Sequence, residues 1–335
     1  MLAALVAAVV VVSMAPAAAA ATLEAVKSRG HLLCGVQPDA PGFSFVESTG
    51  KRVGLEADFC RALSAAVLGT QDAVEFVPLP DAERFRALLS GRVDVLAGGS
   101  SWTLSRDTEL GARFAGALYH ESQVLMVRRN HAVFSALELS GASICVLGGT
   151  RHVPAVSDYF IKRSMPFQLI VADHWDVVGQ TYAAGGCTAI TGDMSQLGAL
   201  RVQLPDRDEH LLLPDTVAGE PLGPAVRQGD ETWFSIVRWV LMALIRADEL
   251  SVTSNNAEML ATSGAPEIRR LLGTEANIGQ PIGLAATWAY DVIRQVGNYS
   301  EIFERNLGLK SELKLRRGLN GLWLNGGLLY AAPLR

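Results

Sequence analysis

Two stretches of this chain alternate short apolar strand signals with amphipathic helical ones, and that alternation limits the fold more than any other feature. In the first, Leu32–Val36 reads as a strand and Gly54–Gly69 as a helix. Leu55, Phe59, Leu63, Ala66 and Val67 recur at i, i+4, i+8, i+11 and i+12, and Gly69 is placed to supply a left-handed C-terminal cap. Val74–Val77 is the next strand. Asp81 is expected to cap a helix with Phe85, Leu88 and Leu89 on its inner face, ending at Gly91, and Val93–Ala97 follows as a strand. Strands and helices joined by such short connections favour a parallel sheet covered by helices.

The second stretch repeats the pattern in kind. Strands are expected at Ser143–Leu147, Gln168–Val171 and Cys187–Ile190, with helices around Val153–Lys162 and Trp175–Ala184 between them. Beyond Leu211–Leu213 comes a Pro/Gly-rich run, Glu220–Asp230. The sequence is then mostly helical, opening with a wide stripe from Trp233 to Ile245 after the cap Asp230. A chain of 335 residues has room for about two domains. The organisation expected is therefore two α/β units and a helical tail.

Mean hydropathy is +0.23, high for a soluble protein. Much of the excess lies at the N-terminus. Met1 to Leu23 carries no charge, Leu2–Val12 is an unbroken apolar run, and small residues follow from Ala15 to Ala21. This pattern fits an export peptide, residues 1–21, cut near Ala21–Thr22, although the basic residue usual at its start is missing and the first one is Lys27. An uncleaved membrane anchor is the competing reading, and the apolar core is short for a span. No later segment has the length of uninterrupted apolar sequence that a span needs; Trp233–Ile245 is broken by Arg238. The net charge of −5 argues against a nucleic-acid partner, and 19% charged against 49% hydrophobic residues argues against disorder.

Export makes disulfides possible for Cys34, Cys60, Cys145 and Cys187. Their spacing suits no metal site, and no metal or cofactor is expected. Four cysteines allow three connectivities. Cys34 lies on the first strand and Cys60 on the helix that should cover it, while Cys145 and Cys187 both belong to the second unit. Pairing within each unit keeps the loops moderate, and four buried thiols remain the alternative.

Several segments carry a family resemblance: TLEAVKSRGHLLCG (Thr22–Gly35), GLEADFC (Gly54–Cys60), RFRALLSGRVD (Arg84–Asp94) and WTLSRDT (Trp102–Thr108). With PLGPAVRQGD (Pro221–Asp230), RRLLGTE (Arg269–Glu275), WAYDVIRQVGNYSEIFERNLG (Trp288–Gly308) and LKLRRGLNGLW (Leu313–Trp323), the mature chain resembles the extracytoplasmic solute-binding proteins of polar amino-acid ABC transporters. Within these it is similar to the long-tailed general L-amino-acid-binding subgroup. The resemblance implies an α/β, two-lobed periplasmic-binding-protein-like fold of type II. Its parallel-sheet lobes are joined by two crossover strands near Glu121–Val127 and Pro221–Val226. Lobe 1 would be discontinuous, residues 22–122 and 224–335, and lobe 2 would be residues 123–223. It further implies a monomer that works in the periplasm, captures a free L-amino acid in the interlobe cleft and delivers it to an inner-membrane ABC permease.

A free amino acid presents a carboxylate and an ammonium. The guanidinium of Arg is shaped to hold the carboxylate in a fixed, two-point grip. By resemblance Arg106 is that clamp, with Ser101 and Thr103 completing the anion site where a helix begins; a surface Arg in a helix salt bridge is the alternative. Asp193 aligns with the family's ammonium-binding Asp, a role compatible with capping the next helix. Thr150 is placed to meet the carboxylate from lobe 2, or to serve as a plain turn residue, and Phe43 to wall the cleft or sit in the core. The chain also departs from the family pattern. Gly98-Gly99 precedes Ser100-Ser101-Trp102, where two ligand-facing side chains are usual, which suggests a larger pocket. Arg151 follows Thr150, open between reading an acidic side chain and pointing to solvent, and His152 is expected on the surface. A sensor feeding a receptor and a dehydratase-type enzyme on the same fold are the competing functions. Asp39, near the cleft mouth, is the one acid that an enzyme reading would have to use, and no nucleophile–base pair stands out.

Overall fold

The computed structural model describes residues 22–263 and 265–334. The expected export peptide lies outside the described residues. Among the described residues no helix is long and apolar enough to cross a membrane.

The chain opens with α1 (Thr22–Arg29), β1 (Leu32–Val36), a small hairpin β2 (Phe45–Val46) and β3 (Arg52–Val53), and α2 (Leu55–Leu68), which ends on Gly69 in the left-handed conformation. β4 (Val74–Pro78), α3 (Arg84–Leu89), β5 (Val95–Leu96), the one-turn α4 (Leu104–Thr108) and β6 (Ala112–Phe114) complete the first unit. β7 (Tyr119–Arg128) then leaves it. The second unit runs β8 (Ser143–Leu147), α5 (His152–Ile161), β9 (Gln168–Ala172), α6 (Trp175–Ala183), β10 (Ala189–Asp193), α7 (Met194–Gln203) and β11 (His210–Leu212). β12 (Ala218–Leu222) and β13 (Ala225–Arg227) lead back. The tail follows with α8 (Glu231–Glu249), α9 (Ala257–Ser263), α10 (Pro266–Leu271), α11 (Trp288–Val296) and α12 (Tyr299–Asn306).

Besides the β2–β3 hairpin, two larger sheets result, one in each lobe. The first has the order β4-β1-β5-β13-β6 and the second β11-β7-β10-β8-β9, with β12 also on β7. The expectation of parallel sheets needs correction: both are mixed. β1 is parallel to β4 and β5, and β8 to β9 and β10, but β13 runs antiparallel to β5 and β6, and β7 antiparallel to β10, β11 and β12. The reason is topological. The α/β repeats build the parallel part, and the strands that carry the chain between lobes add antiparallel pairs at its flank. The Pro/Gly-rich run accordingly contains the end of β12 and all of β13.

One large apolar core joins β1, α2, α8, α11, α12 and the last turns of the chain, with Trp233, Trp288, Tyr299 and Phe303 buried in it. Each such side chain stabilises the lobe by roughly 1.5–3 kcal/mol. The second sheet has a smaller core on each face. Asp230 caps α8 by accepting a hydrogen bond from the Trp233 backbone N–H at 3.0 Å, as expected. Asp81 does not cap α3. Glu83 occupies that position, and the exposed Asp81 carboxylate instead pairs with Arg84 at 2.6 Å.

Both cysteine pairs are bridged: Cys34–Cys60 ties β1 to α2, and Cys145–Cys187 ties β8 to the turn before β10, with Cα separations of 6.1 and 5.8 Å. The tail also reaches the crossover. The buried Asn320 side chain accepts from the His120 N–H at 2.7 Å and donates to the His120 carbonyl at 3.0 Å, and the Tyr299 hydroxyl donates to the Leu118 carbonyl at 2.8 Å.

Candidate interlobe ligand site

Strands β1, β5 and β10 all end at one cleft, which encloses about 510 Å³. On the first lobe its wall is made by Gln37, Asp39, the turn residues Ala40, Pro41 and Phe43, the exposed Asp81, and Gly99 and Ser101 of the loop Gly98–Trp102. Gln37 is fixed by the buried Glu56, which accepts from its backbone N–H at 3.0 Å and from its Nε2 at 2.8 Å; burial pushes the Glu56 carboxyl above its ordinary range. The loop is fixed from below by buried Arg84, which donates to the carbonyls of Gly99 at 2.5 Å and Leu79 at 3.3 Å. Gly99 has φ +65°, and a Cβ there would meet Gln37 at 2.7 Å. A Cβ on Gly98 would meet Glu56 at 3.1 Å. The space directly beside the two glycines is thus filled by Gln37 and Glu56.

The second wall is charged. Asp193 ends β10 at the N-cap position of α7, yet its side chain makes no capping bond. It faces the cleft instead, where Oδ1 accepts from Arg151 Nη2 and lies 3.0 Å from His152 Nε2. Arg151 Nε is 2.6 Å from Glu220 Oε1, so one guanidinium spans two carboxylates. Glu220 on β12 stands directly opposite Glu121 on β7, and partners in such a pair present their side chains to the same face. Glu121 is almost wholly buried and accepts from the Ser195 hydroxyl at 2.5 Å. Burial first, and the neighbouring Asp193 charge second, push its carboxyl up to about 7.

The expected site residues fall into two groups. Phe43, Ser101, Arg151 and Asp193 line the cleft; Phe43 is also buried, its ring edge-on to Tyr119 with centroids 5.0 Å apart. Arg106, Thr103 and Thr150 do not line the cleft. Arg106 Nη1 donates to the Ser101 carbonyl at 3.0 Å, and its guanidinium lies 5.6 Å from the centre of the Phe85 ring. The Thr103 hydroxyl caps α4, accepting from the Arg106 N–H at 3.4 Å. The Thr150 hydroxyl donates to the Leu147 carbonyl at 2.8 Å, the turn role. His152 is buried, not on the surface, because its ring closes over Asp193. Asp39 lines the cleft mouth. Glu121, Glu220 and Ser195 were missed. A signal was available for Glu121 alone: it is the one acid in the strand run Tyr119–Val127, and an isolated charge in a buried strand asks for a partner. Among the described residues no His, Cys, Asp and Glu side chains group as a metal ion would need.

The chain matches the bacterial extracellular solute-binding proteins, family 3, over residues 32–256. It is 46% identical over 323 residues to a general L-amino acid-binding periplasmic protein of Rhizobium johnstonii, covering 96% of this chain and 95% of that one. It is 45% identical over 325 residues to a glutamate/glutamine/aspartate/asparagine-binding protein of Rhodobacter capsulatus, covering 96% of each. Among solved structures, a periplasmic binding protein of an ABC transporter from Brucella ovis, with glutathione bound, superposes with a TM-score of 0.80 at 44% identity, over 95% of this chain and all of that one. The mixed sheets, the two crossings between lobes and the cleft at their strand ends are what these matches lead one to find, and the chain belongs to the family 3 extracellular solute-binding proteins.

Proposed function

We propose that this chain is the substrate-binding component of an amino-acid ABC transporter. It captures a free L-amino acid between its lobes in the periplasm, as a monomer released from its export peptide, and delivers it to an inner-membrane permease without catalysis. The observation that carries this reading is Asp193, a carboxylate at a strand end, turned from its helix into the cleft and already holding a cation. An ammonium is the ligand group that such a carboxylate suits. The names of the Rhizobium and Rhodobacter relatives support the ligand class. The glutathione of the Brucella structure is chemically compatible with it, because its γ-glutamyl end keeps a free α-ammonium and α-carboxylate.

In this reading lobe 1 comprises residues 22–122 and 224–335, and lobe 2 residues 123–223. Asp193 receives the ammonium from lobe 2, and Phe43 walls the cleft. Arg106 leaves the Ser101 carbonyl to clamp the carboxylate, beside the hydroxyls of Ser101 and Thr103, with Thr150 approaching from lobe 2. Because the ligand touches both lobes, it favours the closed form by its differential affinity, and the closed form is what the permease meets. Thermal denaturation of the mature chain with a panel of L-amino acids and glutathione tests the reading. A true ligand at about 100 times its Kd stabilises by about 2.7 kcal/mol. Unchanged melting with every member would refute it.

A further inference from the structure

Arg151 neutralises the carboxylate that the ligand ammonium needs, and resting on the amino-acid-binding reading, we propose that it is a switchable selector for acidic side chains. Its guanidinium occupies the ammonium position on Asp193. When ligand arrives it surrenders Asp193, stays on Glu220, and turns its freed edge to the ligand side chain. Three features of the site support this. Arg151 sits at the start of α5, just past Gly149, whose φ of +70° makes the tight turn, so its side chain projects into the cleft from a fixed base. Its two contacts use different nitrogens on carboxylates from different elements, Nε on Glu220 of β12 and Nη2 on Asp193 of β10, so one can open while the other holds. The side chain keeps 32% of its surface exposed, leaving donors free to meet a ligand. A guanidinium has five N–H donors, and two are committed here.

The charge balance then separates ligands. An incoming ammonium on Asp193 leaves two cations, ammonium and Arg151, beside Asp193 and Glu220. A ligand with a neutral side chain leaves the freed edge of Arg151 without its former carboxylate. A ligand with an acidic side chain supplies the missing anion. His152 stays on Asp193 in either case and holds the carboxylate in place as Arg151 leaves. The selectivity resides in an exchange of one carboxylate for another on a single guanidinium.

L-Glutamate and L-glutamine have the same shape and differ in one charge, so calorimetric titration of both against wild type and Arg151→Gln reads the selector directly. Wild type is expected to prefer glutamate. In Arg151→Gln the competitor on Asp193 is gone, so glutamine should bind three- to tenfold tighter while glutamate weakens, and the preference should fall tenfold or more. A structural role for Arg151 would move both affinities in the same direction and leave their ratio unchanged, and that result would overturn the proposal. A wild-type protein that binds neither amino acid, nor any other in the melting panel, would instead refute the amino-acid-binding reading itself.

Discussion

The two walls of the cleft are prepared in different ways. The second-lobe wall is built of charges held close together, with Asp193 and Glu220 bridged by Arg151 and Glu121 buried beside them. The first-lobe wall carries acids, Asp39 and Asp81, only where they are exposed to solvent, and is otherwise built of dipoles: the Gln37 amide, the Ser101 hydroxyl and the backbone of a glycine loop. Its nearest expected cation, Arg106, is not part of the lining and rests on the Ser101 carbonyl. The difference teaches how a binding protein can be stable with ligand-ready groups inside it. Bare carboxylates in a buried wall are costly, so the chain supplies its own counter-ion there. Arg106 has a carbonyl and an aromatic face to rest on, so it can wait outside without a carboxylate partner.

The comparison breaks most sharply at Arg106. If the first wall recruits it, Arg106→Ala removes a charge-assisted, two-point contact worth about 3 kcal/mol, and the Kd for a binding amino acid rises about 100-fold or more. The fold should barely notice, because the side chain is only half-buried and closes no core. Calorimetry paired with a melting curve separates the two effects. Retained affinity would remove Arg106 from the site and leave the first wall without a cation.

The second wall is tested by pH. Glu121 has a folded-state value of about 7 against 4.5 for an ordinary glutamate, raised by burial and by Asp193. A carboxyl whose value rises on folding contributes fully below its unfolded value, and that contribution is lost as pH climbs through the folded one. Stability should therefore fall by about 2 kcal/mol between about pH 5.5 and about pH 8.5 through this group alone. Asp193, Glu220 and Arg151 face the same space and set the size of the effect. In Glu121→Gln the position is neutral throughout. Urea denaturation at the two pH values should show the slope flattened by that amount, and an unchanged slope would mean that the wall tolerates a buried charge without cost.

The contrast between the walls also marks what sequence could and could not supply. Helix α2, its Gly69 cap and the Asp230 cap of α8 were legible because local spacing and capping chemistry dictate them. The Cys34–Cys60 pair was legible because a strand and its covering helix must be neighbours, and the Cys145–Cys187 pair because both cysteines belong to the second unit. The antiparallel pairs of β7, β12 and β13 were not, since they depend on the path of the chain between lobes, which no local period records. At the site, residue type was a fair guide to position for Asp193 and Phe43. It failed for His152, because its burial comes from a carboxylate far away in sequence. Glu121 and Glu220 were invisible as a pair for the same reason: about a hundred residues separate two groups that one ladder sets opposite each other.

The smallest effect lies where the two walls are hinged. Asn320 holds both backbone groups of His120, next to Glu121 and just after β7 begins, so the tail is fastened to the strand by which the chain leaves the first lobe. Asn320→Ala deletes both bonds, and the net loss for the pair should be about 1 kcal/mol, since water can replace part of what the half-buried His120 backbone loses. Hydrogen exchange at the His120 amide should accelerate about fivefold, the factor that corresponds to that energy. The charged wall makes its contacts without Asn320, so the ratio of glutamate to glutamine affinity should not change. A shift in that ratio would show that the tail helps to set the charged wall, and that the selectivity of the cleft depends on the hinge as well as on Arg151.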